Sequence, residues 1–123
     1  MTKLARVLTT AAAAAAATLS LGAGAAQAAA DPVYLITTDS STCHQIGTNG
    51  VAGNVFVSYE CRSGVAGYSV LVQPTHATFS SVYLATLSSA QCNTLGNNGV
   101  SGGVWSSFNC QLGVAGYSAQ VTN

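Results

Sequence analysis

The chain has 123 residues, of which only 5% are charged, and its formal net charge at pH 7 is zero. Three basic residues are too few to neutralise a series of phosphates, so the composition argues against nucleic-acid binding. It argues equally against a polybasic contact with a membrane surface.

The N-terminal segment has the three parts of a secretory signal peptide. Lys3 and Arg6 form a basic region, an uncharged run of Ala, Leu, Thr and Gly follows, and Ala26-Gln27-Ala28 is a small-x-small cleavage site. We therefore predict a signal peptide over residues 1–30, cleaved after Ala28 or Ala30. The protein is then expected to be secreted and extracellular, and the Ala-rich segment suggests a bacterial source. A membrane anchor is the weaker alternative, because Ala, Thr and Gly are only weakly apolar.

The predicted mature chain carries very little charge. After a cut at residue 30, Arg62 is its one strong cation and faces three acids, Asp31, Asp39 and Glu60, so the net charge is −2 with His uncharged. A surface of Ser, Thr, Asn, Gln and Gly repels its own copies only weakly. The composition is therefore compatible with self-association.

The chain contains one unit twice. Residues 33–72 superpose on residues 82–121 with a constant shift of 49 positions and no gap, and 21 of the 40 positions are identical. The longest identical run is Gly64–Ser69 on Gly113–Ser118. The link over residues 73–81 is short and polar, so we predict a single compact domain over 31–123 built from two pseudo-symmetric halves.

Each unit opens with a strand and a capped helix. Val82–Thr86 is β-branched and apolar, which is typical of a strand, and Ser88 and its counterpart Asp39 are good helix N-caps. Ser88 with Gln91 has capping-box form. A helical stripe follows in both copies: Cys43, Ile46, Gly47, Gly50 and Val51, then Cys92, Leu95, Gly96, Gly99 and Val100.

The glycines of this stripe predict a close backbone approach to a sheet, since each costs a helix about 1 kcal/mol relative to Ala. A Gly-rich loop through Asn97-Asn98-Gly99 is the alternative. Gly53, or Gly102-Gly103, is expected to end the helix in the left-handed conformation.

Two further strands complete the unit. Val104–Gln111 alternates, with Val104, Phe108 and Cys110 on one face, and its counterpart places Val55, Val57, Tyr59 and Cys61 there. A turn at Gly113–Gly116 leads to a strand over Tyr117–Val121. The sequence thus predicts an α+β fold of tandem β-α-β-β repeats, with about six strands and two helices.

Four cysteines in a small exported chain predict two disulfides. All three pairings are compatible with the 49-residue shift. We favour the intra-repeat pairs Cys43–Cys61 and Cys92–Cys110, because a duplicated unit most simply closes its own bond. Each bond would tie the helix to the second strand of its unit, which we expect to be central.

The face opposite each helix carries the candidate contact residues. Phe56 and Trp105 fall on it, and Tyr34 and Tyr83 join them. Such aromatics either anchor a partner or stack on sugars, or they bury each other where the halves meet. The Gly64–Gly67 and Gly113–Gly116 tips either insert into a partner's cleft or are plain turns.

Catalytic and ligand-binding residues are not predicted. His44 and His76 lie in no recognised nucleophile motif, Asp39 is explained as a cap, and Glu60 with Arg62 is a surface pair. We predict no enzyme activity, no metal and no cofactor. The leading expectation is a small extracellular binding module for a protein partner; the alternatives are a self-associating cell or spore surface protein and a protease-inhibitor-like protein.

Overall fold

The computed structural model describes residues 31–123; the predicted signal peptide lies outside this range. Each half runs in the order strand, helix, strand, strand. The elements are β1 (Val33–Thr38), α1 (Ser40–Ala52), β2 (Phe56–Gly64), β3 (Gly67–Pro74), β4 (Val82–Leu87), α2 (Ser89–Ser101), β5 (Ser107–Leu112) and β6 (Tyr117–Thr122).

The six strands form two three-stranded antiparallel sheets, with the orders β1-β3-β2 and β4-β6-β5. The predicted α+β fold of tandem β-α-β-β repeats is therefore confirmed. The third strand of each half returns between the other two. As a result β2 and β5 are edge strands, and the expectation that they would be central was wrong.

Both predicted disulfides are confirmed. Cys43 of α1 is bonded to Cys61 of β2, and Cys92 of α2 is bonded to Cys110 of β5. In each half the bond fastens the buried face of the helix to an edge strand. Each half is thus closed covalently without help from the other.

The helices begin where the sequence predicts. The Asp39 carboxylate accepts a hydrogen bond from the Thr42 backbone N–H at 2.7 Å, and Ser88 and Gln91 form a capping box. Both helices continue through the glycines, so the Gly-rich loop is not formed. Gly53 ends α1 with φ −86°, however, and the left-handed residue is Asn54 with φ 63°, one position later than predicted.

Aromatic rings pack against the glycines of both helices. A Cβ built on Gly50 would overlap the Phe56 ring, and one built on Gly99 would overlap the Trp105 ring. Gly47 and Gly96 stand in the same relation to Tyr59 and Phe108. The predicted close approach is confirmed, and the approaching groups are side chains at or near the start of β2 and β5.

The two halves share one hydrophobic core. Helix α1 packs on β2 and β3 of its own half and on β4 of the other half, while α2 packs on β5 and β6 and on β1. Residues Pro32–Asn123 accordingly form one compact unit. Within the described residues, no helix is long and apolar enough to cross a membrane.

A β-bulge in the first strand of each half creates a contact across the halves. The pairing of β1 shifts register between Tyr34 and Ile36, and the Leu35 carbonyl at the bulge accepts the Asn98 side-chain N–H at 2.7 Å. In the other direction Asn49 donates to the Leu84 carbonyl of β4 at 2.8 Å. Each helix thus satisfies a carbonyl of the opposite sheet.

Candidate interaction surfaces

Phe56 and Trp105 lie in the core. Each is only 2% exposed, and their ring centroids are 6.4 Å apart across the junction of the two halves. The Trp105 indole N–H donates to the Gly96 carbonyl at 3.0 Å. A partner cannot reach either ring without opening the core, so we place both in the framework rather than on a contact surface.

The misplacement of Phe56 has a local cause. Strict alternation along the strand puts Phe56 on the outer face with Ser58, but the pairing of β2 with β3 shifts register between these two residues. The shift turns Phe56 inward and turns Val57, expected inside, outward, where its side chain is 66% exposed. Trp105 precedes β5 altogether, because that strand begins at Ser107.

The candidate chemical groups His44, His76, Glu60 and Arg62 do not converge on one site. His44 lies on the outer side of α1, and its Nδ1 is 3.1 Å from the Tyr59 hydroxyl. His76 is exposed in the link between the halves, with φ 60°. The Arg62 guanidinium donates twice to Glu60, at 3.1 and 3.2 Å, and this pair raises the pKa of Arg62.

The Asp39 carboxylate is occupied by its role as a helix cap. It accepts from the backbone N–H and from the hydroxyl of Thr42, and these bonds hold the pKa of Asp39 below its ordinary value of 3.8. Among residues 31–123 no group of three or more His, Cys, Asp or Glu side chains could hold a metal ion. The same part of the chain contains no detectable pocket.

The most exposed apolar side chains of the described chain are at the tips of the two hairpins. Val65 and Val114 are fully exposed, at 110% and 109% of the reference area. Each stands at the same place in its half, followed by an exposed alanine. The tip sequence Gly-Val-Ala-Gly is identical in the two copies.

The second glycine of each tip is required by the turn. Gly67 and Gly116 have φ of 132° and 138°, which L side chains rarely adopt. A Cβ on Gly67 would also lie 2.7 Å from the Thr38 carbonyl oxygen. Strand pairing continues to Gly64 and Gly67, so only Val65 and Ala66 project beyond the hairpin.

A tyrosine lies on the outer face of each sheet. Tyr34 and Tyr83 are 44% and 38% exposed, and each hydroxyl is 2.7 Å from the hydroxyl oxygen of a threonine, Thr37 or Thr86. Residues three apart in a regular strand lie on opposite faces. The β-bulges bring each tyrosine and its threonine to one face, and the alternating pattern of the sequence contained no signal for this pairing.

Comparison of the chain with protein-family models, with curated proteins and with solved structures finds no match. The fold and the surface therefore define only a class: a disulfide-stapled tandem repeat that presents two identical apolar hairpin tips. What the protein does has to be argued from those surfaces.

Proposed function

We propose that this chain is a small, secreted, non-catalytic binding module that contacts a protein partner through its two hairpin tips. The main support is that Val65 and Val114 are fully exposed and lie in the longest run of identity between the halves. Packing does not require a valine at a position that touches nothing. The turn does not require one either, because Asn, Asp, Ser, Gly and Pro are the residues that favour turns.

The chemistry of the tips favours a protein over a carbohydrate. Beyond the paired glycines each tip presents only the side chains of valine and alanine, and neither has a polar group for a sugar hydroxyl. Burial of small apolar groups in a partner's apolar cleft stabilises a complex, because it removes them from water. With a net charge of −2, the mature chain would find such a partner without strong electrostatic steering.

The two disulfides support an extracellular setting, because such bonds persist in oxidising compartments and are rare in the cytosol. They also hold the hairpins on a rigid base, which lowers the entropy lost on binding. An extracellular protease is one partner of this kind, as its cleft would accept Val65 or Val114. Slowing of peptide hydrolysis by the pure protein would distinguish this case.

Pull-down from culture supernatant with tip variants tests the proposal. We expect the wild type to recover a partner that the double variant Val65→Ser, Val114→Ser does not. Val57→Ser is the matched control, since Val57 is 66% exposed but lies within β2, away from the tips. Exposed substitutions change stability by only about 0.5 kcal/mol, so all three proteins should unfold at nearly the same denaturant concentration.

Equal recovery of every partner by the wild type and the double tip variant would refute a role for the tips. Loss with Val57→Ser alone would instead move the contact to the sheet. Trp105→Ala is unsuitable for this experiment, because Trp105 is buried and its removal would cost about 3–5 kcal/mol of stability.

A further inference from the structure

The interface between the two halves is reciprocal. Asn49 of the first half bonds Leu84 of the second, and Asn98, which corresponds to Asn49, bonds Leu35, which corresponds to Leu84. The apolar contacts repeat the relation: Gly53 lies against Val82, and Gly102 lies against Val33. Phe56 and Trp105, which also correspond, meet each other. Such self-complementary contacts are the mark of a twofold dimer interface.

Nothing covalent crosses this interface except the chain itself. Both disulfides close within their own half. The two halves can therefore separate and reassociate without any disulfide exchange. Parting would expose the shared core, which includes Phe56 and Trp105, so a separated half must find another half to cover it.

The chain passes from one half to the other at His76. On its N-terminal side, Thr75 bonds the first half through the carbonyls of Asn54 and Val55. On its C-terminal side, the Ala77 carbonyl accepts from the side chain of Asn123. Phe79 next exchanges two backbone bonds with Asn123, which fastens the rest of the link to the second half.

The backbone at this junction is strained. His76 has φ 60°, a left-handed conformation that is unfavourable for a non-glycine residue. Ser81 has φ 47°, but it lies beyond Phe79, and its N–H bonds the Thr122 side chain within the second half. Opening the chain at His76 would relieve the first strain and leave the second unchanged, and it would release the bond from the Ala77 N–H to the Thr75 hydroxyl.

We propose that the partner for this interface is a second copy of the chain, and that two copies exchange halves around His76 to form a closed domain-swapped dimer. In that dimer the first half of each copy packs on the second half of the other with every contact named above. Short connections under strain favour such exchange, because the open form releases the strain. This inference is independent of the hairpin tips.

Refolding at low and high protein concentration, with the disulfides kept oxidised, tests the exchange. Size exclusion with light scattering should show monomer at low concentration and added dimer at high concentration. The cysteine pair Gly53→Cys, Val82→Cys then reports which chain supplies each half, because a Cβ on Gly53 would meet the Val82 side chain. After oxidation, denaturing gels without reductant should show a covalent dimer from the dimer fraction and a monomer from the monomer fraction.

Substitutions at the junction test the cause. His76→Gly removes the strain, so the dimer-to-monomer ratio should fall by at least about tenfold. His76→Val should raise the ratio, since a β-branched residue tolerates positive φ least. Ser81→Gly and Thr78→Gly are the controls: the first relieves strain outside the hinge, and the second loosens an exposed link position without positive φ.

Three results would overturn the proposal. One is monomer alone at every concentration for both the wild type and His76→Val. Another is a dimer fraction whose engineered bond stays within one chain, which would mean side-by-side association. The third is an equal response of the ratio to His76→Gly and Ser81→Gly. If the first cysteine pair does not fold, Gly102→Cys with Val33→Cys repeats the test at the equivalent site.

Discussion

At the scale of single residues, the two halves cap the N-termini of their helices with different side chains. At the start of α1 the Asp39 carboxylate accepts from the Thr42 N–H. At the start of α2 the Ser88 hydroxyl accepts from the Gln91 N–H, and the Gln91 side-chain oxygen accepts from the Ser88 N–H. A carboxylate also interacts favourably with the positive end of the helix. The first cap can be titrated and the second cannot, which gives the molecule an internal control.

The stability contributed by Asp39 should depend on pH in acid solution. Its folded-state pKa is lowered below 3.8, chiefly by the bond from the Thr42 backbone N–H, so the ionised cap is the stabilising form. This contribution is complete above the unfolded-state pKa and is lost as the pH falls through the lower folded-state value. The denaturation midpoint of the wild type should therefore decline below pH 3.8.

Asp39→Asn and Asp39→Ser are the comparisons, because both keep a capping oxygen that does not titrate, and serine copies Ser88. The difference in midpoint between wild type and either variant should shrink as the pH falls through that range. Asp31 and Glu60 are present in all three proteins, so whatever they contribute cancels from the difference. A constant difference down to strongly acid pH would contradict the argument.

At the scale of elements, glycines on each helix leave space for aromatic rings at or near the second strand of the same half. The spacing of Gly47 and Gly50, repeated at Gly96 and Gly99, was enough to predict a helix face in close approach to a sheet. The rings at Gly50 and Gly99 were harder to predict, because a register shift after Phe56 breaks the alternation in β2 and Trp105 precedes β5. A bulge is set by pairing with another strand, which local sequence does not contain.

Filling one of these spaces should destabilise the protein. Gly99→Ala gains about 1 kcal/mol of helix propensity, but its Cβ would overlap the ring of Trp105, which is 2% exposed and has no room to move. Overpacking of this kind costs about 1–3 kcal/mol or more, so we expect a net loss in the free energy of unfolding. Denaturant unfolding measures the change.

Asn97→Ala is the matched control for the space at Gly99. Asn97 is exposed on the same helix, so the variant should be unchanged or slightly more stable through helix propensity alone. A gain in stability for Gly99→Ala equal to that of Asn97→Ala would show that the ring yields readily, and that the glycine is not required by packing.

At the scale of the whole molecule, the duplication predicted two halves and one body but not how the halves interlock. The constant shift of 49 positions and the paired cysteines identify each unit. Asn49 and Asn98, however, are polar residues within helices and look like surface positions. Their targets, Leu35 and Leu84, are hydrophobic strand residues whose carbonyls become available only at the bulges. The cross-half contact therefore depends on tertiary structure that sequence periodicity does not encode.

These two asparagines should couple the halves energetically. Asn98→Ala leaves the Leu35 carbonyl without its side-chain donor in a partly buried place, which should lower the free energy of unfolding by about 1–3 kcal/mol. Asn49→Ala should cost a similar amount through Leu84. Asn97→Ala is again the control, because its side chain is exposed next to Asn98 and its removal should cost little.

The form of the unfolding curve adds a second measurement. Because each asparagine reaches across the interface, either substitution should weaken both halves together, and unfolding should remain a single transition detected equally by Trp105 fluorescence and by far-ultraviolet circular dichroism. If each substitution instead loosened only its own helix, the two probes would report different midpoints. That result would mean that the halves are stable alone, and it would remove the reason for a freed half to seek a second copy.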